Sequence, residues 1–224
     1  MIEKYYIGQP FFKTTLNSDL VDTINNHMDN LLKNNNQVSV VNTLSGKITS
    51  EWDSIWFIDV DKKNEILNIF KYCIENLDKD NTFNEWEFNF NSAWINDQKQ
   101  HEYQVIHQHS GKSLLGLSSI IFLKVPDFGK EYTETAEPHN GRTSLIGNGG
   151  GIFTYSHRLI TPKVGDMYIF NYDMKHCVYP FVGDGTRRSM SINADIWPKK
   201  VSSKRWYYLK EYHIKISYLQ EINL

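Results

Sequence analysis

The sequence predicts a mainly β protein of the jelly-roll, cupin-like kind, with supporting helices near its N-terminus. Three observations carry this reading. The hydrophobic period switches from about 3.6 residues to 2 in the region that starts at residue 83. From there on, about eight short apolar runs are separated by Gly, Pro, Asn and Asp, the rhythm of a double-sheet jelly roll. Finally, 13 Tyr, 12 Phe and 6 Trp among 224 residues make a composition that suits pleated, half-buried surfaces. The length fits one domain with a sizeable core: a helical support region over 1–82, a jelly-roll core over 83–197 and a C-terminal arm over 198–224.

In chain order, Tyr5–Ile7 reads as a short strand, followed by a Gly8-Gln9-Pro10 turn and the apolar pair Phe11-Phe12. Asn17 or Ser18 caps a helix whose apolar positions Leu20, Ile24, Met28, Leu31 and Leu32 recur at helical spacing, and the Asn34–Asn36 run ends it. Asp59 or Asp61 opens a second amphipathic helix, with Ile66, Leu67, Ile69, Phe70, Cys73, Ile74 and Leu77 inward. Trp86, Phe88 and Phe90 then alternate with Glu85, Glu87 and Asn89 and lead into Ser92–Asn96. A strand over Glu102–Ser110 and the run Leu114–Val125 follow, the latter stopped by Pro126. Residues 127–150 break the pattern with Gly, Pro, Asn, Thr and charge, and read as a long loop of the lid kind. Strands resume at Gly151–Tyr155, Arg158–Ile160, Met167–Tyr172, Cys177–Val182 and Arg188–Ile196. The tail carries Lys199, Lys200, Lys204 and Arg205 among Trp206, Tyr207 and Tyr208, and reads as a solvated, packed arm rather than a nucleic-acid site.

Charge and cysteine usage exclude several classes. With 24 basic against 26 acidic residues the formal charge is −2, so no global pull toward nucleic acid follows. Cys73 and Cys177 lie in apolar contexts without metal spacing, which fits a reduced, cytoplasmic protein. The first residues lack the apolar core of a signal peptide, and no apolar run approaches membrane-spanning length.

The chemistry centres on Glu102–Ser110. Alternation on a strand puts Tyr103, Val105, His107 and His109 on one side. Two imidazoles facing one interior are costly unless something accepts their lone pairs, and a divalent metal does so; two solvated histidines at a strand end are the alternative. Jelly rolls of the cupin type draw metal ligands from an early and a late strand, and His176 stands on a late one. Alternation next places Arg188 with Met190, Ile192, Ala194 and Ile196, and Arg187 with Ser189, Ser191 and Asn193. An arginine directed into an apolar interior needs an anion, which a ligand carboxylate supplies, unless it snorkels out at the strand end.

The order His107-Gln108-His109, His176-Cys177-Val178-Tyr179-Pro180 and Arg188-Ser189-Met190-Ser191-Ile192 resembles the iron(II)/2-oxoglutarate-dependent dioxygenases. With Trp94-Ile95-Asn96 and Ile121–Pro126 added, it looks most like the oxygenase-like proteins of tailed marine phages. The resemblance covers roughly residues 86–197. It implies a double-stranded β-helix and an oxygenase, a hydroxylase in the first instance, acting in the host cytoplasm. His107, His109 and His176 would hold Fe(II), and Arg188 would bind the distal carboxylate of 2-oxoglutarate. Asn96 and Tyr103 would be further cosubstrate contacts, and Lys124 would replace a tyrosine hydroxyl used by relatives or else face solvent. The chain departs from the usual pattern at His109, where relatives carry a carboxylate. That leaves a three-histidine iron centre, a carboxylate donated by Asp127, Glu134 or Glu137, or a different metal. A non-catalytic metal-binding jelly roll and a cupin-like dioxygenase using no 2-oxo acid are the competing readings.

Overall fold

The computed structural model describes residues 1–41, 46–54, 60–77, 86–113, 115–129, 139–149 and 155–198. In chain order its elements are β1 (Glu3–Tyr6), β2 (Pro10–Thr15), α1 (Ser18–Lys33), β3 (Glu51–Asp53), α2 (Val60–Leu77), β4 (Trp86–Gln98), β5 (Gln104–His107), β6 (Gly116–Lys124), β7 (Thr143–Ile146), β8 (His157–Ile160), β9 (Asp166–Asn171), β10 (Lys175–Val178) and β11 (Arg187–Pro198). A seven-stranded sheet runs β1-β2-β9-β6-β11-β4-β3, and a four-stranded sheet runs β5-β10-β7-β8. All pairings are antiparallel. This is the mainly β, jelly-roll architecture expected.

The larger sheet is covered on both faces, and the two coverings differ in chemistry. On one face Ile95, Ile121, Leu123, Met190, Ile192 and Ala194 pack against Leu20, Ile24 and Met28 of α1 and Ile66 and Phe70 of α2. On the other, Phe11, Ile120, Phe122 and Phe170 meet Leu145 and Ile160 of the smaller sheet. Helix α1 starts as expected: the Asn17 side chain accepts from Leu20 N–H at 2.7 Å. It ends in the asparagine run, where Asn35 takes a left-handed φ of 55° that asparagine tolerates and Asn36 N–H reaches back to Leu31 O.

The described residues hold eleven strands. The sequence pattern does not announce β2, β3 and β7 as strands. The last of these corrects the lid reading, since Thr143–Ile146 pairs with both β10 and β8 and Leu145 is fully buried. Four residues rich in Thr and Ser carry too weak a period to stand out from the surrounding loop. Residues 130–138 and 150–154 lie outside the described residues, as do Asp59 and the whole arm from Lys199. Tyr155, the expected end of a strand, is exposed and outside any strand. No described helix is long and apolar enough to cross a membrane.

Candidate metal centre

Both sheets contribute to one polar pocket between them. His176 on β10 pairs across the ladder with His107 on β5 on one side and with Leu145 on β7 on the other. The β10–β5 register shifts between His176↔His107 and Val178↔Gln104, a bulge that adds one residue to β5. The extra residue breaks the alternation, so Gln104 and His107 both reach the pocket although three positions apart. That is why Tyr103 and Val105 do not share an inward face with the histidines. They are 39% and 47% exposed, and Tyr103 is no pocket residue.

His109 lies beyond the end of β5, and hydrogen bonds rather than a sheet ladder fix it. Its N–H donates to Tyr172 O at 2.9 Å. Three and four residues on, the buried carboxylate of Asp195 accepts Lys112 N–H at 3.2 Å and Ser113 N–H at 3.3 Å. Gly111 is required in this loop, because a Cβ there would stand 1.9 Å from Asp195 Oδ1.

The result is one cluster: ligand nitrogens of His107, His109 and His176 all lie within 4.8 Å of one another. His109 Nε2 and His176 Nε2 are 3.1 Å apart. Two adjacent nitrogens about 2.1 Å from a common metal would be separated by about 3.0 Å in octahedral geometry, so the donors fit a first-row ion. His107 Nδ1 donates to Val105 O at 2.8 Å and His176 Nδ1 to Met174 O at 3.1 Å. Each bond fixes the tautomer that leaves Nε2 free to ligate. Burial pushes all three imidazoles toward the neutral form: His107 downward, His109 to about 3 and His176 well below its ordinary value. Neutral imidazole is the state a metal needs. Asp127 is exposed and outside the cluster, while Glu134 and Glu137 lie outside the described residues.

The pocket floor is the β4–β11 ladder, whose inner face carries the pairs Trp94/Ser191, Asn96/Ser189 and Gln98/Arg187. Arg187 is 1% exposed. Its Nη2 donates to Thr143 Oγ1 at 2.8 Å and its Nη1 to Gln98 Oε1 at 3.2 Å. The guanidinium lies 5.0 Å over the Phe122 ring, and its Nε–H has no partner. No carboxylate among the described residues pairs with it, and burial alone pulls its pKa down to about 9. Asn96 Oδ1 and Trp94 Nε1, in the same pocket, are also buried without partners.

Two further expected site residues lie elsewhere. Arg188 shares its face with Met190 and Ile192, as alternation required, but that face packs on the helices. Arg188 grips Asp97 through Nε (2.6 Å) and Nη2 (2.8 Å) and reaches Asp29 of α1 at 2.7 Å. Its anion is internal, so it cannot receive a ligand carboxylate in the pocket. A register shift between Arg188/Lys124 and Ser189/Phe122 likewise carries Lys124 to the helix side, where it pairs with Asp29. The pocket instead uses Arg187 and Ser189, from the polar face of β11 that alternation had already separated out, with Trp94 of β4 and Gln104 of β5.

Residues 92–193 match the sequence model of the family described as "putative 2OG-Fe(II) oxygenase". This stretch holds all three histidines and Arg187. No curated protein matches the chain. Among solved structures, a Pseudomonas putida prolyl-4-hydroxylase is similar at 12% identity and TM-score 0.52, covering 85% of this chain and 93% of its own. The α-ketoglutarate-dependent carbocyclase SnoK from nogalamycin biosynthesis is similar at 10% identity and TM-score 0.57, covering 91% and 87%. HygX from Streptomyces hygroscopicus, solved with nickel, 2-oxoglutarate and hygromycin B, is similar at 9% identity and TM-score 0.50, covering 84% and 83%. These likenesses show the fold. The family match covers a little under half of the chain and is to a family named for Fe(II) and 2-oxoglutarate.

Proposed function

We propose that the chain is a hydroxylase in which His107, His109 and His176 hold Fe(II) and Arg187, not Arg188, receives the distal carboxylate of 2-oxoglutarate. The observation that carries this reading is Arg187 itself: a buried guanidinium without an anion, in the pocket whose opposite wall is the histidine cluster. An unpaired buried charge is strongly unfavourable, and a bidentate carboxylate compensates it. When bound, Fe(II) would supply the oxidising chemistry, with O2 as the oxidant and 2-oxoglutarate as the co-reductant.

The chain's own part is binding, orientation and exclusion of water. Thr143 and Gln98 each hold one terminal nitrogen of the fork, and Phe122 lies under its plane. With the distal carboxylate held there, the dicarboxylate runs along the floor past Ser189 and Asn96 toward the histidines. Trp94 Nε1–H can donate to the ligand on that path, which would satisfy that buried atom. Tyr103 and Lys124 have no part in it. The motif likeness to phage-encoded oxygenases supports an action in the host cytoplasm on a substrate these residues do not specify.

One observation favours a second reading: no carboxylate among the described residues joins the three histidines. A three-histidine metal protein that uses no 2-oxo acid has the same ligand set. Anaerobic Fe(II) titration with and without 2-oxoglutarate decides between them. The proposed function predicts a metal-to-ligand charge-transfer band only when both are present; its absence at saturating 2-oxoglutarate selects the second reading.

A further inference from the structure

The three imidazoles are not held alike. His107 and His176 each give their Nδ1–H to a backbone carbonyl two residues earlier, on Val105 and Met174. A carbonyl only accepts, so both rings are locked with Nε2 bare. His109 has no such carbonyl. Its Nδ1 faces a side-chain amide, Asn193 Nδ2, at 3.4 Å.

That difference determines where the protons sit. His176 Nε2 is an acceptor, and His109 Nε2 stands 3.1 Å from it, so the proton between them belongs to His109. With Nε2 protonated, His109 Nδ1 carries the lone pair, and the NH2 group of Asn193 meets it. All the bonds agree in the metal-free state. In this tautomer, however, His109 cannot ligate through Nε2. Metal binding requires the Nε2 proton to leave and Nδ1 to take one up.

An amide can serve either tautomer, because a half-turn about its Cβ–Cγ bond exchanges NH2 for C=O with almost no change in shape. Asn193 is 5% exposed and its Oδ1 is buried without a partner. The half-turn would place that oxygen against His109 Nδ1–H. Ser118 pairs with Asn193 across the β6–β11 ladder, and its buried Oγ also lacks a partner, a hydroxyl able to donate or accept.

We infer that Asn193 is a positioning residue that switches His109 between a metal-free and a metal-ready tautomer by turning its amide, so that one ligand of the centre is set by the metal while two are set in advance by the backbone. The inference rests on the metal reading of the histidine cluster. The exchange is balanced: His109 stays neutral, losing a proton from Nε2 and gaining one at Nδ1, with no net release. Asn193 takes the place of the backbone carbonyl that the other two ligands use.

The test reads the tautomers directly. In the full-length metal-free chain with 15N-labelled histidine, long-range imidazole NMR correlations should show Nδ1–H for His107 and His176 and Nε2–H for His109. Saturation with Zn(II), a diamagnetic probe, should convert His109 alone to Nδ1–H. Asn193→Asp, whose side chain can only accept, should show the Nδ1–H form of His109 before metal is added and should bind Zn(II) at least as tightly as wild type. Asn193→Leu, of similar size but without polar atoms, should bind Zn(II) roughly 10–100-fold more weakly, the usual loss for an outer partner of a metal ligand. Equal Zn(II) affinity in wild type and Asn193→Leu, or a His109 tautomer indifferent to Asn193→Asp, overturns the role of Asn193 alone. Failure of wild type to bind Zn(II) overturns the metal reading and this inference together.

Discussion

Arg187 and Arg188 are sequence neighbours on β11 that point to opposite faces of the sheet and meet opposite fates. Arg188 is neutralised by Asp97 across the β4 ladder, with a second contact to Asp29 on α1. Arg187 faces the inter-sheet pocket with hydroxyl, amide and aromatic neighbours and no anion among the described residues. One arginine ties the helix layer to the sheet, and the other is left with an unmet charge beside the histidines.

The Arg188–Asp97 pair is therefore a stability element. Asp97→Asn or Arg188→Met removes one partner of a buried pair and should cost roughly 3–5 kcal/mol in urea unfolding. The double variant should cost less than the sum of the two, because neither leaves a charge uncompensated. Costs below about 1 kcal/mol for both single variants would place the pair with ordinary surface bridges.

The three desolvated imidazoles should give the metal-free protein a one-sided pH profile. Their folded pKa values lie below the unfolded value, with His109 at about 3, so the unfolded chain binds more protons as pH falls. Stability from this source is complete above the ordinary histidine pKa, about 6.5. It falls below that pH at up to about 1.4 kcal/mol per unit for each histidine. His109→Asn should flatten the slope between about pH 6.5 and 3, measured as urea midpoints across pH. An unchanged slope would mean that His109 is not held neutral by the fold.

How much of this was legible in the sequence varied with the strength of the local pattern. The two helices, the long alternating strands and all three histidines were found, because their periods and residue types are distinctive. The alternation on β11 also sorted Arg187 from Arg188 correctly. What it could not say was which face looks into the pocket. An apolar face suggests an interior, but this sheet has two covered faces, and the more apolar one is sealed by α1 and α2 while the pocket takes the polar one. Bulges hid the rest: single inserted residues bring Gln104 inward and carry Lys124 outward, against a strict period of two. β7 is simply too short to announce itself inside a Thr- and Gly-rich stretch.

Gly111 offers a way to disturb the metal centre without touching a ligand. In Gly111→Ala the new Cβ would collide with Asp195, whose carboxylate holds the loop that follows His109. The loop must shift, and metal affinity should fall by roughly 10–100-fold, as for loss of an outer-shell partner. Zn(II) titration checks it, with the unfolding midpoint of the metal-free variant as the control for folding. Wild-type affinity in Gly111→Ala would show that the loop does not set the position of His109.

The most direct measurement is calorimetric titration of 2-oxoglutarate into the Ni(II)-loaded chain, compared among wild type, Arg187→Met and Arg188→Met at a temperature where all three are folded. Charge-assisted hydrogen bonds contribute about 1.5–3 kcal/mol each. Loss of two from Arg187 should weaken binding on the order of a hundredfold or more, since about 1.4 kcal/mol is tenfold. Arg188→Met should bind within a few-fold of wild type despite its lower stability. Equal binding by wild type and Arg187→Met, or a loss confined to Arg188→Met, would contradict the assignment of Arg187 as the carboxylate receptor.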